Sequence, residues 1–124
     1  MVRVRHAAST VQAEGVPVQS WSASHTQWAG GKMGGFVTSI EEFDSVQEGE
    51  ILVCRMTNPA WVVLFTKIAG LVTEAGGATS HPAVVAREFG IPAVVGTGNA
   101  GERIKTGDRV RVNGATGVVE VLSS

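Results

Sequence analysis

One histidine in this chain stands where its ring could do chemistry. His81 lies inside Gly76-Gly77-Ala78-Thr79-Ser80-His81-Pro82-Ala83-Val84-Val85-Ala86-Arg87-Glu88. Ser80 is a favoured N-cap type. Pro82 suits a first helical turn, where a missing N–H costs nothing. Residues 83–89 then spell a short helix, Gly90 offers the left-handed residue that ends one, and Pro92 bars continuation. Ala93-Val94-Val95 spells a short buried strand. His81 is therefore predicted at or beside a helix N-terminus, where backbone N–H groups lack intrahelical partners and the macrodipole adds positive potential. Such a terminus favours an anion. A neutral imidazole nitrogen is a nucleophile, and once it carries a phosphoryl group the same N–H groups can bind the phosphate oxygens. Gly76 and Gly77 let the loop approach closely, while Thr79 and Ser80 add hydroxyl donors. The plainer reading is a surface histidine that only caps a helix. Spacing alone favours it, because cap histidines are common and a Gly-Gly pair is not diagnostic.

The same stretch, followed by Gly90-Ile91-Pro92-Ala93-Val94-Val95-Gly96, resembles the signature of the phosphohistidine swivelling (mobile) domain of phosphoenolpyruvate-utilising enzymes. That group includes pyruvate phosphate dikinase, phosphoenolpyruvate synthase and rifampicin phosphotransferase. The similarity runs from residue 51 to residue 121 and is weak before Gly30. The resemblance implies that His81 takes a phosphoryl group and delivers it elsewhere. Thr79 matches a threonine that is a regulatory phosphorylation site in some plant members. Gly76 and Gly77 match the loop glycines, and Arg87 and Glu88 match an Ala-Arg-Glu motif. Gly76, Gly77, Thr79, Ser80 and Arg87 are thus the candidates for phosphate binding or loop support. Three positions depart from the pattern. Pro82 replaces a common alanine, Asn113-Gly114 replaces a common Asp-Gly, and Ala60 in Thr57-Asn58-Pro59-Ala60-Trp61 replaces a common aspartate, so any contact made by that acid is in doubt here. Thr57 is placed on the same rim as the His81 loop.

The elements that must position this loop are short. The resemblance implies an α/β fold of the swivelling β/β/α type, a compact single domain with short strands, at least two helices and the histidine loop at one end. Length and the mixed element order agree with one α/β domain. Residues 1–29 form the least readable segment, expected to pack on a swivelling domain at 30–124. Val2-Arg3-Val4-Arg5 alternates like an edge strand. Gly30-Gly31-Lys32-Met33-Gly34-Gly35 lacks a Walker A ending and reads as a turn leading into a strand at 36–38. Ser39 with Glu42 spells a capped helical turn. Residues 51–56 and 71–74 read as strands. Between them, a helix with Asn58 as N-cap runs apolar on all sides over 60–69 and ends at Gly70; such a helix is buried on more than one side or faces a partner. Residues 97–101 read as a loop and 104–108 as a turn. Residues 109–112 and 117–122 form a hairpin across Asn113-Gly114-Ala115-Thr116, with Arg109 and Arg111 on one solvated face.

Composition narrows the function classes. A net charge of −1 gives no general affinity for nucleic acid or anionic lipid. No apolar run nears the ~20 residues of a membrane span, and the basic start has no apolar stretch after it to make a signal peptide. A cytoplasmic protein is expected. The single cysteine, Cys54, excludes an intramolecular disulfide, fits a reducing compartment, and reads as a small buried hydrophobe. His6 and His25 have no partners at metal spacing, so no metal site is expected. Trp21 and Trp28 read as cover for a core edge or a partner interface, because the segment lacks the basic residues of a stacking platform for single strands.

The function implied by the resemblance is a covalent relay. An ATP-grasp nucleotide-binding domain or subunit, holding ATP and Mg²⁺, transfers phosphoryl to His81 (or PEP supplies it in the reverse sense); an acceptor domain or subunit of the PEP/pyruvate type or another kind then takes it. This domain itself binds no cofactor and is not active alone. The chain has no room for either partner, so the carrier is a separate subunit or part of a longer polypeptide, including a phenol-phosphorylating enzyme split over subunits. The alternative is a non-phosphorylated swivelling module, either the small subunit of an aconitase-like dehydratase or a regulatory binding module. Those share the fold without Thr-Ser-His at a helix start.

Overall fold

Eight short strands take up most of the apolar runs. A computed structural model describes residues 11–18, 28–38, 40–57, 59–77 and 79–122. The expected edge strand at 2–5, His6, Trp21, His25 and the caps Ser39 and Asn58 lie outside the described residues. In chain order the elements are β1 (Val11–Glu14), β2 (Val16–Val18), β3 (Trp28–Val37), a first 3₁₀ helix (Ile40–Ser45), β4 (Ile51–Cys54), a second 3₁₀ helix (Pro59–Thr66), β5 (Gly70–Thr73), α1 (His81–Phe89), β6 (Ala93–Val95), α2 (Ala100–Arg103), β7 (Arg109–Asn113) and β8 (Val118–Leu122). The class is α/β.

The strands form one sheet in the order β1-β8-β7-β3-β4-β5-β6-β2. Strands β3 to β6 are parallel; β2 lies antiparallel on β6, and β7, β8 and β1 continue antiparallel from β3. The two ends of that order, β1 and β2, are separated in sequence only by Gly15. Residues 11–18 therefore cross from one edge to the other and close the sheet on itself. Gly15 N–H donates to Gly117 O at 2.9 Å. A Cβ on Gly15 would overlap Val95 O, so the crossing demands glycine.

Strands β4, β5 and β6 are buried on both faces, as the interior of a parallel sheet requires. Their side chains sort by alternation into two cores. Ile51, Val53, Val72 and Val94 face one cluster with Met33, Ile104, Val110, Val112 and Val119. Leu52, Cys54, Leu71, Ala93 and Val95 face the other, beneath Trp61, Leu64 and Phe65 of the second 3₁₀ helix and Ala83, Val85 and Ala86 of α1.

Four expectations are corrected here. The Gly30–Gly35 stretch is not a turn but the middle of β3, which pairs with β7 over its first half and with β4 over its second. Its glycines serve close packing: a Cβ on Gly31 would stand 2.5 Å from Gly49 O, and one on Gly34 would strike the Glu50 carboxylate. The helix after Pro59 is 3₁₀ and stops at Thr66, and Gly70 opens β5 instead of ending it. Trp61, Val62, Val63 and Phe65 are poor α formers, and a three-residue turn suits them. It buries Trp61 with Leu64 and leaves Ala60, Val63 and Thr66 exposed at matching spacing. The loop at 97–101 contains the start of α2, because Glu74 Oε2 accepts the Gly101 N–H at 2.9 Å. Arg111 is not a solvated strand residue like Arg109. It donates from Nη2 to Glu120 Oε1 at 2.6 Å and lies 4.0 Å over the Trp28 ring.

Leu52, 1 % exposed between strand and helix layers, makes the two-sided burial testable. Leu52→Ala is expected to lower unfolding stability by about 2–5 kcal/mol in a denaturant titration.

Candidate functional site

The parallel register determines where the chemistry is placed. Cys54 pairs with Thr73, so β4 and β5 end level at the same edge. Their pairing continues past the strands: Glu74 N–H donates to Cys54 O at 3.1 Å, and Ala75 N–H to Arg55 O at 2.9 Å. The loop after β6 is tied to the same place, with Thr97 N–H on Thr73 O at 3.1 Å and Gly98 N–H on Glu74 O at 2.9 Å. Three loops leave one end of the sheet side by side. Carboxyl ends of parallel strands are where α/β folds assemble sites.

His81 is the first residue of α1 and is half-buried. Its Nδ1 lies 3.1 Å from the Oγ1 of Thr57, a buried residue on the loop after β4. Thr57 thus stands where the rim reading placed it. Because Nδ1 is turned to Thr57, Nε2 is the nitrogen directed away from that contact.

Ser80 takes the N-cap position with extended backbone, but its hydroxyl does not cap the helix. Ser80 Oγ donates to Gly77 O at 2.7 Å and Ser80 N–H to the same oxygen at 3.0 Å, which closes the turn before the helix. The first helical bond runs from Val84 N–H to Ser80 O at 3.0 Å. The earlier first-turn amides have no acceptor inside the helix, and Pro82 has no N–H to offer. Only His81 and Ala83 bring amides to that terminus. Gly90 ends α1 in the left-handed region at φ 72°, as its type predicts.

The remaining candidates divide. Gly76 has φ 111° and would press a Cβ to 2.8 Å from Ser80 Oγ, whereas a Cβ on Gly77 would meet nothing. Thr79 is exposed in the turn. Arg87 lies in the last turn of α1, about 9 Å along the axis from His81, where a cation complements the helix dipole. It is not gathered with the ring. Gly96 is the last residue of the motif. A Cβ there would come within 2.6 Å of Gly76 O, so the histidine loop rests directly on it. Glu74 gave no sequence signal, because its partner Gly101 is far along the chain.

Among the described residues no group of three or more His, Cys, Asp or Glu side chains could hold a metal ion, and no helix is long and apolar enough to cross a membrane. Cys54 is buried, and burial together with the nearby Glu74 charge pushes its thiol up to about 12.

Residues 46–117 match the family described as PEP-utilising enzyme, mobile domain. The chain belongs to that family. The mobile domain is 58 % identical over 78 residues to a phosphoenolpyruvate synthase of Aquifex aeolicus, covering 63 % of this chain and 9 % of the synthase. It is 49 % identical over 86 residues to a rifampicin phosphotransferase of Bacillus subtilis, covering 69 % of this chain and 10 % of that enzyme. It therefore spans about a tenth of the length of these curated relatives. Among solved structures, an NMR structure of Enzyme I overlays with a TM-score of 0.56 at 37 % identity, covering 64 % of this chain and 33 % of the other. The aconitase X of Thermococcus kodakaraensis overlays with a TM-score of 0.60 over 90 % of this chain and 98 % of its own, but at 18 % identity, a likeness of fold alone.

Two outcomes test this geometry. Gly76→Ala is expected to cost about 1–3 kcal/mol from backbone strain and to shift the His81 ring resonances, while Gly77→Ala leaves both near their starting values. Cys54 is expected to resist a thiol reagent at pH 8 until the protein unfolds. Its raised value means that the folded state keeps a proton that the unfolded chain releases. Stability is therefore intact below the ordinary thiol value of 9.0 and falls as pH rises from there toward about 12. Cys54→Ala should flatten that fall in a pH series of unfolding curves.

Proposed function

We propose that this mobile domain is the phosphoryl carrier of a dikinase-type phosphotransferase and that His81 is the group transiently phosphorylated. The single observation behind this reading is the contact between Thr57 Oγ1 and His81 Nδ1, at 3.1 Å, on a ring at a helix N-terminus. With the Nδ1 proton donated to the Thr57 hydroxyl, Nε2 keeps its lone pair. That pair attacks phosphorus on the donor. The N–P bond forms as the P–O bond to the leaving phosphate breaks, and the leaving oxygen takes the electrons. In the second transfer an acceptor oxygen attacks, the N–P bond breaks, and its electrons return to Nε2. The first-turn amides and the Thr79 hydroxyl supply donors for the phosphoryl oxygens.

The donor is ATP, held with Mg²⁺ on an ATP-grasp domain or subunit, and PEP in the reverse direction. This domain contributes the ring and no cofactor. Pyruvate is the first acceptor to test, in keeping with the synthase relative; rifampicin is the second, in keeping with the phosphotransferase. A cytoplasmic setting suits the lone reduced thiol. A role as a non-phosphorylated dehydratase subunit rests on fold likeness alone and leaves the Thr57–His81 pair without a use.

The test mixes the chain with β- or γ-labelled ATP and a nucleotide-binding partner. The Aquifex aeolicus synthase, with its own matching histidine replaced, can serve as that partner. Acid-labile, base-stable label is expected on this chain and is absent from His81→Ala. Label that survives this substitution overturns the assignment. Thr57→Val is expected to slow loading by about 10- to 100-fold, the worth of one hydrogen bond to a group that becomes charged.

A further inference from the structure

One dipeptide of the chain carries a reaction of its own. Asn113-Gly114 opens the turn between β7 and β8. Two sets of contacts require this pair. Asn113 Oδ1 accepts the Ala115 N–H at 2.8 Å and the Thr116 N–H at 3.0 Å, so the turn calls for a short side-chain carbonyl. A Cβ on Gly114 would stand 2.7 Å from Val18 O and 3.2 Å from Pro92 Cα, so the next residue has no room for a side chain. The fold therefore sets an asparagine amide beside a bare glycine nitrogen. Asparagine is among the thermolabile residues, and here no Cβ shields the neighbouring nitrogen from its amide carbon.

We propose that Asn113-Gly114 is a self-modification site that the fold holds shut. The Gly114 nitrogen gives up its proton and attacks Cγ of Asn113. The new N–C bond closes an imide ring, the Cγ–Nδ2 bond breaks, and ammonia leaves with the proton. Water then opens the imide at either carbonyl and leaves aspartate or isoaspartate at position 113. The native structure opposes each step. Asn113 is 4 % exposed and Gly114 is buried, which keeps base and water away. Cγ is held by the two bonds to Oδ1, and the backbone by pairing of Asn113 with Trp28 and Val118. Asn113 O also accepts the Gly117 N–H at 3.0 Å. Reaction is thus confined to openings of the β7–β8 hairpin. The two products have different fates. Aspartate keeps an oxygen for both N–H donors, and a carboxylate accepts them more strongly. Isoaspartate routes the backbone through the side chain, one methylene longer. The hairpin then loses the carbonyl that Gly117 N–H needs, and Gly114 shifts from its seat against Val18 and Pro92.

The experiment incubates the chain at mildly alkaline pH, folded and in guanidinium chloride above its unfolding midpoint. Peptide masses around Asn113 and Asn99 are followed for the change from amide to acid. Asn99 is exposed and is followed by Ala100, so it reports what exposure alone does. In denaturant, Asn113 is expected to react before Asn99, and at least about tenfold faster than Asn113 of the folded chain. Gly114→Ala in the same denaturant brings Asn113 down to the rate of Asn99. After return to buffer, isoaspartate at 113, detected with an isoaspartyl methyltransferase, is expected in the misfolded fraction and aspartate in the folded one. Asn113→Asp is expected to fold with an unfolding midpoint at or above that of the unsubstituted chain. The proposal is overturned if Asn113 reacts as fast folded as unfolded, or if Asn99 loses its amide first in denaturant. It is also overturned if isoaspartyl chains refold in proportion to their number, or if Asn113→Asp does not fold.

Discussion

Parallel pairing of β4 with β5 is the constraint from which the site follows. Cys54 beside Thr73 makes both strands end at one level. The loops beyond them remain hydrogen-bonded to each other for two further residues. Thr57 and His81, 24 residues apart in sequence, thereby come within 3.1 Å. The pairing is held by burial on both faces: Ile51 and Val53 enter one core, Leu52 and Cys54 the other. A shift of one residue would exchange these faces and move the Thr57 loop away from the ring. Packing and the Thr57–His81 contact therefore depend on the same register.

Glycine does in this fold what side chains do elsewhere. At Gly15 the chain crosses against Val95 and Gly117 and links the two edge strands, β1 and β2. At Gly76 and Gly96 the backbone of the histidine loop lies on the loop after β6. The loop is held by backbone contacts, by the Ser80 hydroxyl on Gly77 O and by the Thr73 hydroxyl on Ala75 O. Because the Ser80 hydroxyl is engaged in the turn, it does not cap the helix. Pro82 limits the amides there to those of His81 and Ala83.

The chain belongs to a family of mobile domains and spans about a tenth of its curated relatives. Its described surface agrees with the role of a part. The second 3₁₀ helix buries Trp61, Leu64 and Phe65 yet leaves Val63 in water. Away from the site, Arg111 is neutralised by Glu120 and stacked on Trp28. Arg109, on the same strand, stays exposed, as do Met56, Val63, Val84 and Phe89.

Local chemistry was legible in the sequence. Pro82, Gly90 and Pro92 mark the ends of α1 because a fixed φ and a left-handed residue act within a few positions, and Ser80 takes the N-cap position with its hydroxyl on Gly77 O. Strands β4, β5 and β6 and the Asn113 turn could be read for the same reason, and the long Gly-Gly-Ala-Thr-Ser-His match named the family. The tertiary structure decided what depends on distant partners. The glycines of β3 resemble a turn until Gly49 and Glu50 are seen against them. The start of α2 becomes a helix only with Glu74 at its end. Which nitrogen of His81 faces away from Thr57 is likewise decided by tertiary structure, because Thr57 reaches the ring through strand register and not through neighbouring sequence.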